Sequence, residues 1–430
     1  MAARVVLGLG GCVDYELKLT GPALQQLAAD YAVGAADLAS PGAVTSERDL
    51  VVSILGYVAR GGGGEHFVAS APALETFARR FPHRTTLGGT SVRAAIVLDR
   101  LGVPSTLHLV SVNDTVRRLL PATCDYVSSG DTDTYYPHLI VQYDRGLRVR
   151  TGDLDITAPL PNRLIYVNDP ANSSMALADD LGARLRDADV FLISGFNAMR
   201  DERLLDERLA ALRAHMRHLP PGAVTYYEDA AFHEPALSQR VRDALLDVID
   251  VYGLNEDEMQ TYLGHPVDLL SVDEVRRALT AVHALIPVPT LVLHTRFWSA
   301  AVGERAGDLA AALDLGTLMA ATRYSHGDDV TDRDIDLMRR RPRRPEARAF
   351  AAALEERMGG TVRCVPGFAL NVDNPTTVGL GDTFVGGFLA AVARSTSPAA
   401  PHRPVPGQVT RRPPVVSPGV AGLASQREHP

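Results

Sequence analysis

The sequence predicts an α/β protein: a doubly wound, mostly parallel sheet with helices on both faces, plus a smaller αβ lid. Two patterns carry this expectation. From residue 163 onward, apolar runs of strand length alternate with stretches of helical spacing, as in a parallel sheet whose crossovers are helices. Near the start, Val5, Val6 and Leu7 form an unbroken apolar run of the kind buried on both faces. Length sets the scale, since 430 residues with 46% hydrophobic content suffice for one large domain with an insertion or for two domains.

Charge and composition narrow the partners. A formal net charge of −8 argues against a nucleic-acid or membrane-surface partner, so small soluble substrates are expected. Cys12, Cys124 and Cys364 are far apart and lack C-x-x-C spacing, which indicates neither a zinc site nor a disulfide framework. The chain starts without a basic leader, and no apolar run reaches membrane-spanning length, which together with the cysteine usage points to the cytoplasm. Lys18 is the sole lysine and stands outside any glycine loop, so a Walker A phosphate loop is excluded.

The elements follow in order. The first strand, 5–9, runs into Gly10, Gly11, Cys12, Val13 and Asp14. A dinucleotide fingerprint fails here, because counting from Gly8 its last glycine position is Val13. Asp14 is left just past the carboxyl end of the first strand, where open α/β sheets place ligands, or else as a turn residue. Residues 20–80 are mainly helical (23–32, 47–57, 73–80), interrupted by a flexible glycine run at 61–64. Gly88 and Gly89 precede a helix with Val92, Ala95, Ile96 and Leu98; they admit a ligand's close approach or serve a simple turn.

A strand at 107–110 is followed by two runs, 138–143 and 147–150, that alternate about Asp144, Arg145 and Gly146 as a hairpin outside the main sheet. Strands at 164–167, 190–194, 224–227 and 248–252 then alternate with helices at 173–186, 200–218 and 234–246. Helices at 256–263 and 271–285, strands at 290–294 and 299–302 and a helix at 306–323 continue the series. Residues 326–345, rich in Asp and Arg and including the run Arg339-Arg-Arg-Pro-Arg-Arg, are assigned to a solvated, mobile loop with phosphate binding as the lesser alternative, 346–358 to a helix and 368–371 to a short strand. The folded domain is placed at 1–394, with the discontinuous lid within 15–80 and 125–162. Residues 395–430 hold eight prolines and no periodic apolar face, a composition expected to stay disordered.

The chemistry concentrates in Asn374-Pro-Thr-Thr-Val-Gly-Leu-Gly-Asp-Thr. Gly379 and Gly381 let the chain turn tightly into a helix carrying Phe384, Val385, Phe388, Leu389 and Val392. The free amides and dipole of such a helix start suit a phosphoryl group. Asp382 would repel that group unless it serves the other reactant, accepting the proton of an attacking hydroxyl; the alternative is a helix cap. Glu228 and Glu258 fall near other strand ends. The three carboxylates share one sheet edge, where they can hold Mg²⁺ directly or through its waters.

Asn374-Pro375 and Thr377-Val-Gly-Leu-Gly-Asp-Thr resemble the signature of the ADP-dependent sugar kinases, the glucokinase and phosphofructokinase branch of the ribokinase-like superfamily. Asn255 and Glu258 match the ends of that family's N-x-x-E element. His294-Thr295-Arg296 resembles its strand-end His-Thr, and Gly88-Gly89 its sugar-side glycine pair; the matches run in order across 5–394. The resemblance implies a ribokinase-like domain with a lid and Mg²⁺-dependent transfer from ADP to a hydroxyl of a sugar or sugar phosphate, of the glucose or fructose 6-phosphate type, yielding AMP. It implies Asp382 as catalytic base with the amides of Gly379, Leu380 and Gly381 as anion hole. Asp14, Gly88 and Gly89 would face the sugar, and Asn255, His294, Thr295 and Val378 the nucleotide. Glu228, Glu258 and Asp382 would organise Mg²⁺.

Three departures stand out. Tyr226 replaces the histidine of the family's H-x-E element, Cys12 replaces the asparagine two residues before the first acidic residue, and Thr90-Ser-Val follows the glycine pair in place of Asn or Gln with Ala-Gly. They allow an unusual acceptor or reduced activity. The alternatives are an ATP-dependent ribokinase-type sugar or nucleoside kinase, and a nucleotide-binding relative with little turnover. Oligomeric state is not legible.

Overall fold

The computed structural model describes residues 4–39, 42–372 and 375–396; Asn374 and the tail residues 397–430 lie outside the described residues. Among the described residues the strands are β1 (Val5–Leu7), β2 (Cys12–Lys18), β3 (Gly64–Phe67), β4 (Arg84–Gly88), β5 (Ser105–Leu109), β6 (Cys124–Ser128), β7 (His138–Tyr143), β8 (Arg148–Thr151), β9 (Leu154–Thr157), β10 (Asn162–Val167), β11 (Val190–Ile193), β12 (Val224–Glu228), β13 (Val251–Asn255), β14 (Thr290–His294), β15 (Trp298–Gly303) and β16 (Val362–Pro366). The larger sheet has the order β16-β15-β14-β13-β12-β11-β1-β5-β6, the smaller one β3-β10-β7-β2-β4, and β8 pairs with β9 alone.

The larger sheet is parallel from β6 to β14 and closes with antiparallel β15 and β16. Its order reverses about β1, which has β5 on one side and β11 on the other, the kind of switch point where such sheets bind ligands. The two-residue period of the strands sorts the apolar side chains to the two faces. Val6, Phe191 and Ile193 enter one core, while Val5, Leu7, Val190 and Leu192 enter the other, with helices covering both. A third core lies on the smaller sheet, where Leu17, Leu139, Val141, Leu164 and Tyr166 meet Leu50, Ile54 and Val58 of the helix Glu47–Arg60.

The helix Leu380–Thr396 lies against both Ala310–His326 and Thr90–Arg100. Glycines let backbone approach backbone at these seams. A Cβ on Gly387 would sit 2.7 Å from the Leu315 carbonyl oxygen and 2.9 Å from Gly316 Cα, and one on Gly386 would sit 3.0 Å from Ala94 Cα. The turn bearing Asp382 is thus held by its helix from two sides.

Several expectations are corrected. Residue Asp14 does not end a turn after the first strand, because Cys12–Lys18 continues as β2 in the smaller sheet. The proposed hairpin dissolves: β7 pairs with β2 and β10, whereas β8 pairs with β9. The run at 164–167 belongs to the smaller sheet, antiparallel to β7, and not to the main parallel series. Local alternation shows that a segment is extended but not which strand it pairs with. The glycine run leads into β3, and Arg84–Gly88 is a strand. The Asp/Arg-rich segment contains the capped helix Asp332–Arg339, whose Thr331 and Asp334 form a reciprocal capping box. The last strand is Val362–Pro366; Phe368 makes only an isolated bridge to Arg343. The final helix runs past 394 to Thr396. No helix among the described residues is long and apolar enough to cross a membrane.

Gly387→Ala is expected to destabilise the fold by about 1–3 kcal/mol through overpacking against Ala310–His326. Gly360→Ala, where an added Cβ meets nothing within 4 Å, is the control. Urea-unfolding midpoints of the two variants check this; equal midpoints contradict the packing argument.

Candidate active site

The site starts from a turn. Gly379 has φ +65°, a left-handed conformation open to glycine at low cost, and the chain enters its helix at the next residue. The first intrahelical bond runs from the Thr383 amide to the Gly379 carbonyl at 3.0 Å, and the Thr383 hydroxyl donates to the same oxygen at 2.6 Å. The amides of Leu380, Gly381 and Asp382 therefore have no intrahelical acceptor. Asp382 is not spent on capping them: its Oδ1 accepts the Thr90 hydroxyl at 2.8 Å from the start of a different helix.

Behind it lies a buried arginine that the sequence reading overlooked. Arg93, 5% exposed, places Nη2 2.8 Å from Asp14 Oδ2 and 3.0 Å from Glu16 Oε1, Nε 3.8 Å from Asp382 Oδ2, and Nη1 3.9 Å from Asp328 Oδ1. Burial works against the guanidinium charge, but Asp14 and Glu16, then Asp382 and Asp328, outweigh it and raise the Arg93 pKa further. A signal was present: Arg93 stands among Val92, Ala94 and Ala95 and precedes buried Val97 by one helical turn, and a buried arginine must be paired.

The predicted sugar-side residues do meet. Gly88 is the β4 partner of Cys12, and the carboxylate of Asp14, 3% exposed and two residues on along β2, reaches back so far that a Cβ on Gly88 would collide with it. Gly89 has φ +90° and caps the helix Thr90–Arg100; a Cβ there would come within 3.1 Å of Gly11 Cα. The close approach that these glycines permit is made by the protein's own Asp14 and Gly11.

The other wall is built at the ends of β12, β13 and β14. Glu228 receives a hydrogen bond at each oxygen, from Tyr226 Oη at 3.0 Å and from His294 Nε2 at 2.8 Å. A Cβ on Gly253 would collide with both Tyr226 and Glu228, which explains the glycine on the adjacent strand. His294 also lies over Phe384, ring centroids 4.8 Å apart, and 3.1 Å from where a Gly381 Cβ would be. Burial alone would keep the His294 imidazole neutral, but the Glu228 carboxylate, with Glu256 and Asp382 nearby, raises its pKa above the ordinary histidine value.

Asn255 and Glu258 form a capping box at the start of the helix Glu256–Leu263: the Asn255 side chain accepts from the amides of Asp257 and Glu258, and Glu258 Oε2 accepts the Asn255 amide at 2.7 Å. Burial pushes the Glu258 carboxyl well up, with Asp229 and Glu228 adding repulsion, and Asp229 is raised for the first reason too. A crowded, buried set of oxygen donors of this kind suits a hard divalent cation. Asp382, by contrast, is gathered with Thr90 and Arg93. Thr295 is committed to the tight β14–β15 turn, donating to the Trp298 carbonyl at 2.8 Å and accepting from the Phe297 and Trp298 amides. Val378 is buried, and its carbonyl accepts Arg323 Nε at 2.8 Å. Among the described residues, the group of three potential metal ligands with all donor atoms within 4.8 Å of one another is Cys12, Asp14 and His138, not Glu228, Glu258 and Asp382.

Comparisons with known proteins bear on this arrangement. Residues 3–390 match the model of the ADP-specific phosphofructokinase/glucokinase conserved region. Comparison with curated proteins returns no match. Among solved structures, a hypothetical ADP-dependent phosphofructokinase from Pyrococcus horikoshii OT3 superposes with a TM-score of 0.72 at 18% identity, covering 92% of this chain and 98% of that one. A phosphofructokinase from the same organism with AMP gives 0.70 at 18% identity, with the same coverage. An ADP-dependent kinase in complex with fructose 6-phosphate and ADPβS gives 0.70 at 14% identity, covering 91% of this chain and 94% of that one. At these identities the structural likeness shows a shared fold.

The His294–Glu228 pair sets a pH dependence. Because the folded pKa of His294 is raised, its contribution is complete below the unfolded value near pH ~6.5 and is lost as pH rises through the higher folded value. His294→Gln is expected to cost about 3 kcal/mol at pH 6 and clearly less at pH 9, read from urea unfolding at both. A cost that stays constant or grows with pH contradicts the charged pair.

Proposed function

Because the chain belongs to the ADP-specific phosphofructokinase/glucokinase family, its reaction is phosphoryl transfer from ADP to a hydroxyl of a sugar or sugar phosphate, and we propose that this transfer takes place at Asp382. The observation that carries the proposal is the placement of that carboxylate. It stands beside first-turn amides with no intrahelical acceptor, yet its own hydrogen bond goes to Thr90 on another element. A cap would have bonded its own helix.

In this reading the acceptor hydroxyl lies between Asp382 and the smaller sheet, where Asp14 orients it; Gly88 and Gly89 serve the sugar side by letting the Asp14 carboxylate and the Gly11 backbone come close. As the acceptor oxygen bonds to the β-phosphorus of ADP, the bond from that phosphorus to the oxygen of AMP breaks, and Asp382 takes the hydroxyl proton. The amides of Gly379, Leu380 and Gly381 face the charge that develops on the transferred group. Thr90 keeps Asp382 aimed, and the Arg93 guanidinium stands 3.8 Å from its other oxygen. On the donor side, Asn255, His294, Thr295 and Val378 shape the nucleotide's surroundings through the backbone they order. Glu228 and Glu258 would hold Mg²⁺ through its waters, and the ion when bound offsets phosphate charge. Tyr226 takes over the support of Glu228, so the exchange of histidine for tyrosine leaves that carboxylate oriented. The smaller sheet would serve as the lid. Fructose 6-phosphate, present in the related kinase complex, is the first acceptor to try.

Asp382→Asn is expected to lower kcat by about 10²–10⁴-fold while ADP still binds. The measurement is AMP release from ADP by the purified chain with Mg²⁺, with fructose 6-phosphate or glucose offered and withheld. AMP formed without an acceptor, ATP outpacing ADP, or an unimpaired variant would each contradict the reading.

A further inference from the structure

On the acceptor side of the cleft, the smaller sheet places beside Asp14 two donors, Cys12 and His138, that have no part in the phosphoryl transfer described above. Cys12 and Asp14 are two residues apart on β2 and so share a face, and His138 is the cross-strand partner of Asp14 on the parallel neighbour β7. Cys12 Sγ lies 3.2 Å from Asp14 Oδ1, and His138 Nδ1 lies 3.9 Å from the same oxygen. Ligands about 2.0–2.3 Å from a tetrahedral Zn²⁺ stand about 3.3–3.8 Å apart; the three donor atoms here all lie within 4.8 Å of one another, so side-chain adjustments of up to about an ångström would bring them onto one ion.

A second, independent feature orients the histidine. His138 Nε2 is 3.3 Å from Asp169 Oδ2, the N-cap residue of the helix Pro170–Ser174. Asn172 in turn fixes Asp169, through Nδ2 to Oδ2 at 2.6 Å and through its amide to Oδ1 at 3.1 Å. A carboxylate on the far nitrogen sets the tautomer that leaves Nδ1 as the ligand, the usual support of a metal-bound histidine. The site is also enclosed: Asp14 is 3% exposed, the His138 side chain 13%, and Cys12 half-buried.

We propose that Cys12, Asp14 and His138 bind one Zn²⁺ ion at the acceptor side of the cleft. A thiolate, an imidazole and a carboxylate select a borderline ion over Mg²⁺ or Ca²⁺ and leave one tetrahedral position for water. On binding, the Cys12 S–H bond breaks, its proton passes to solvent and a Zn–S bond forms. Asp14 supplies Oδ1 and keeps Arg93 on Oδ2. The two ligand charges balance the ion. Zn²⁺ there would draw Asp14 away from an acceptor hydroxyl and raise KM for the acceptor; this consequence rests on the kinase reading above, whereas the binding does not.

The test uses the full chain, stripped with a chelator and titrated with Zn²⁺, then separately with Co²⁺ as a coloured substitute. One equivalent of each is expected to bind, Co²⁺ with a thiolate-to-metal charge-transfer band that Cys12→Asn abolishes and Cys124→Ser retains. Asp169→Asn is expected to weaken Zn²⁺ binding by about 10–100-fold. His138→Gln provides a second loss-of-ligand variant, and circular dichroism establishes that each variant is folded. Absence of binding, bound Co²⁺ without the thiolate band, or Zn²⁺ affinity unchanged in folded Cys12→Asn would overturn the proposal. None of these readouts needs turnover, so the site and the kinase reading stand or fall separately.

Discussion

The Arg93 guanidinium is the interaction on which the cleft depends. Burying such a charge costs several kcal/mol unless well-placed partners repay it, and here the partners come from separate parts of the chain. Asp14 and Glu16 belong to the smaller sheet, Asp328 follows the helix Ala310–His326, and Asp382 starts the final helix. Arg93 itself stands on the helix that follows the glycine pair. Neither Asp14 nor Glu16 would be tolerable beside the other without that cation. The register of the smaller sheet against the larger one is therefore tied electrostatically to the position of Asp382.

The network also reaches the backbone of the turn. Arg323 pairs with Asp328 and donates from Nε to the Val378 carbonyl, immediately before Gly379. Opposite it, the floor of the site is organised by a different logic: Tyr226 and His294 each hold one oxygen of Glu228, and His294 packs on Phe384 of the Asp382 helix. Two buried polar systems thus grip one helix start from either side. Glycines at 253, 316, 386 and 387 remove the side chains that would keep the gripping elements apart.

Much of this is legible in the sequence. The alternation from residue 190 to 294 reproduces as parallel strands and helices, with ends displaced by a few residues, because buried strands and amphipathic helices leave different apolar periods. The Gly379 turn and its helix were readable for a similar reason, since both depend on local backbone freedom and on spacing. Asn255 and Glu258 were visible as a pair too, although the capping box shows that part of their job is local. The smaller sheet was read poorly. Its strands come from five dispersed segments, and nothing in the alternation of 138–143 says that Cys12–Lys18 will be its neighbour.

By itself, then, the amino-acid sequence determined the fold class, the glycine turn ahead of Asp382 and the carboxylates at the strand ends, all properties of short-range spacing and residue chemistry. Only the tertiary structure decided that Arg93 would join Asp14 to Asp382, that Tyr226 would support Glu228, and that Cys12 would face Asp14 and His138. Each of those is a contact between segments distant in the chain or a choice of face. Such choices follow from strand pairing and helix packing, and a linear pattern of residues does not specify which partners will be brought within hydrogen-bond distance.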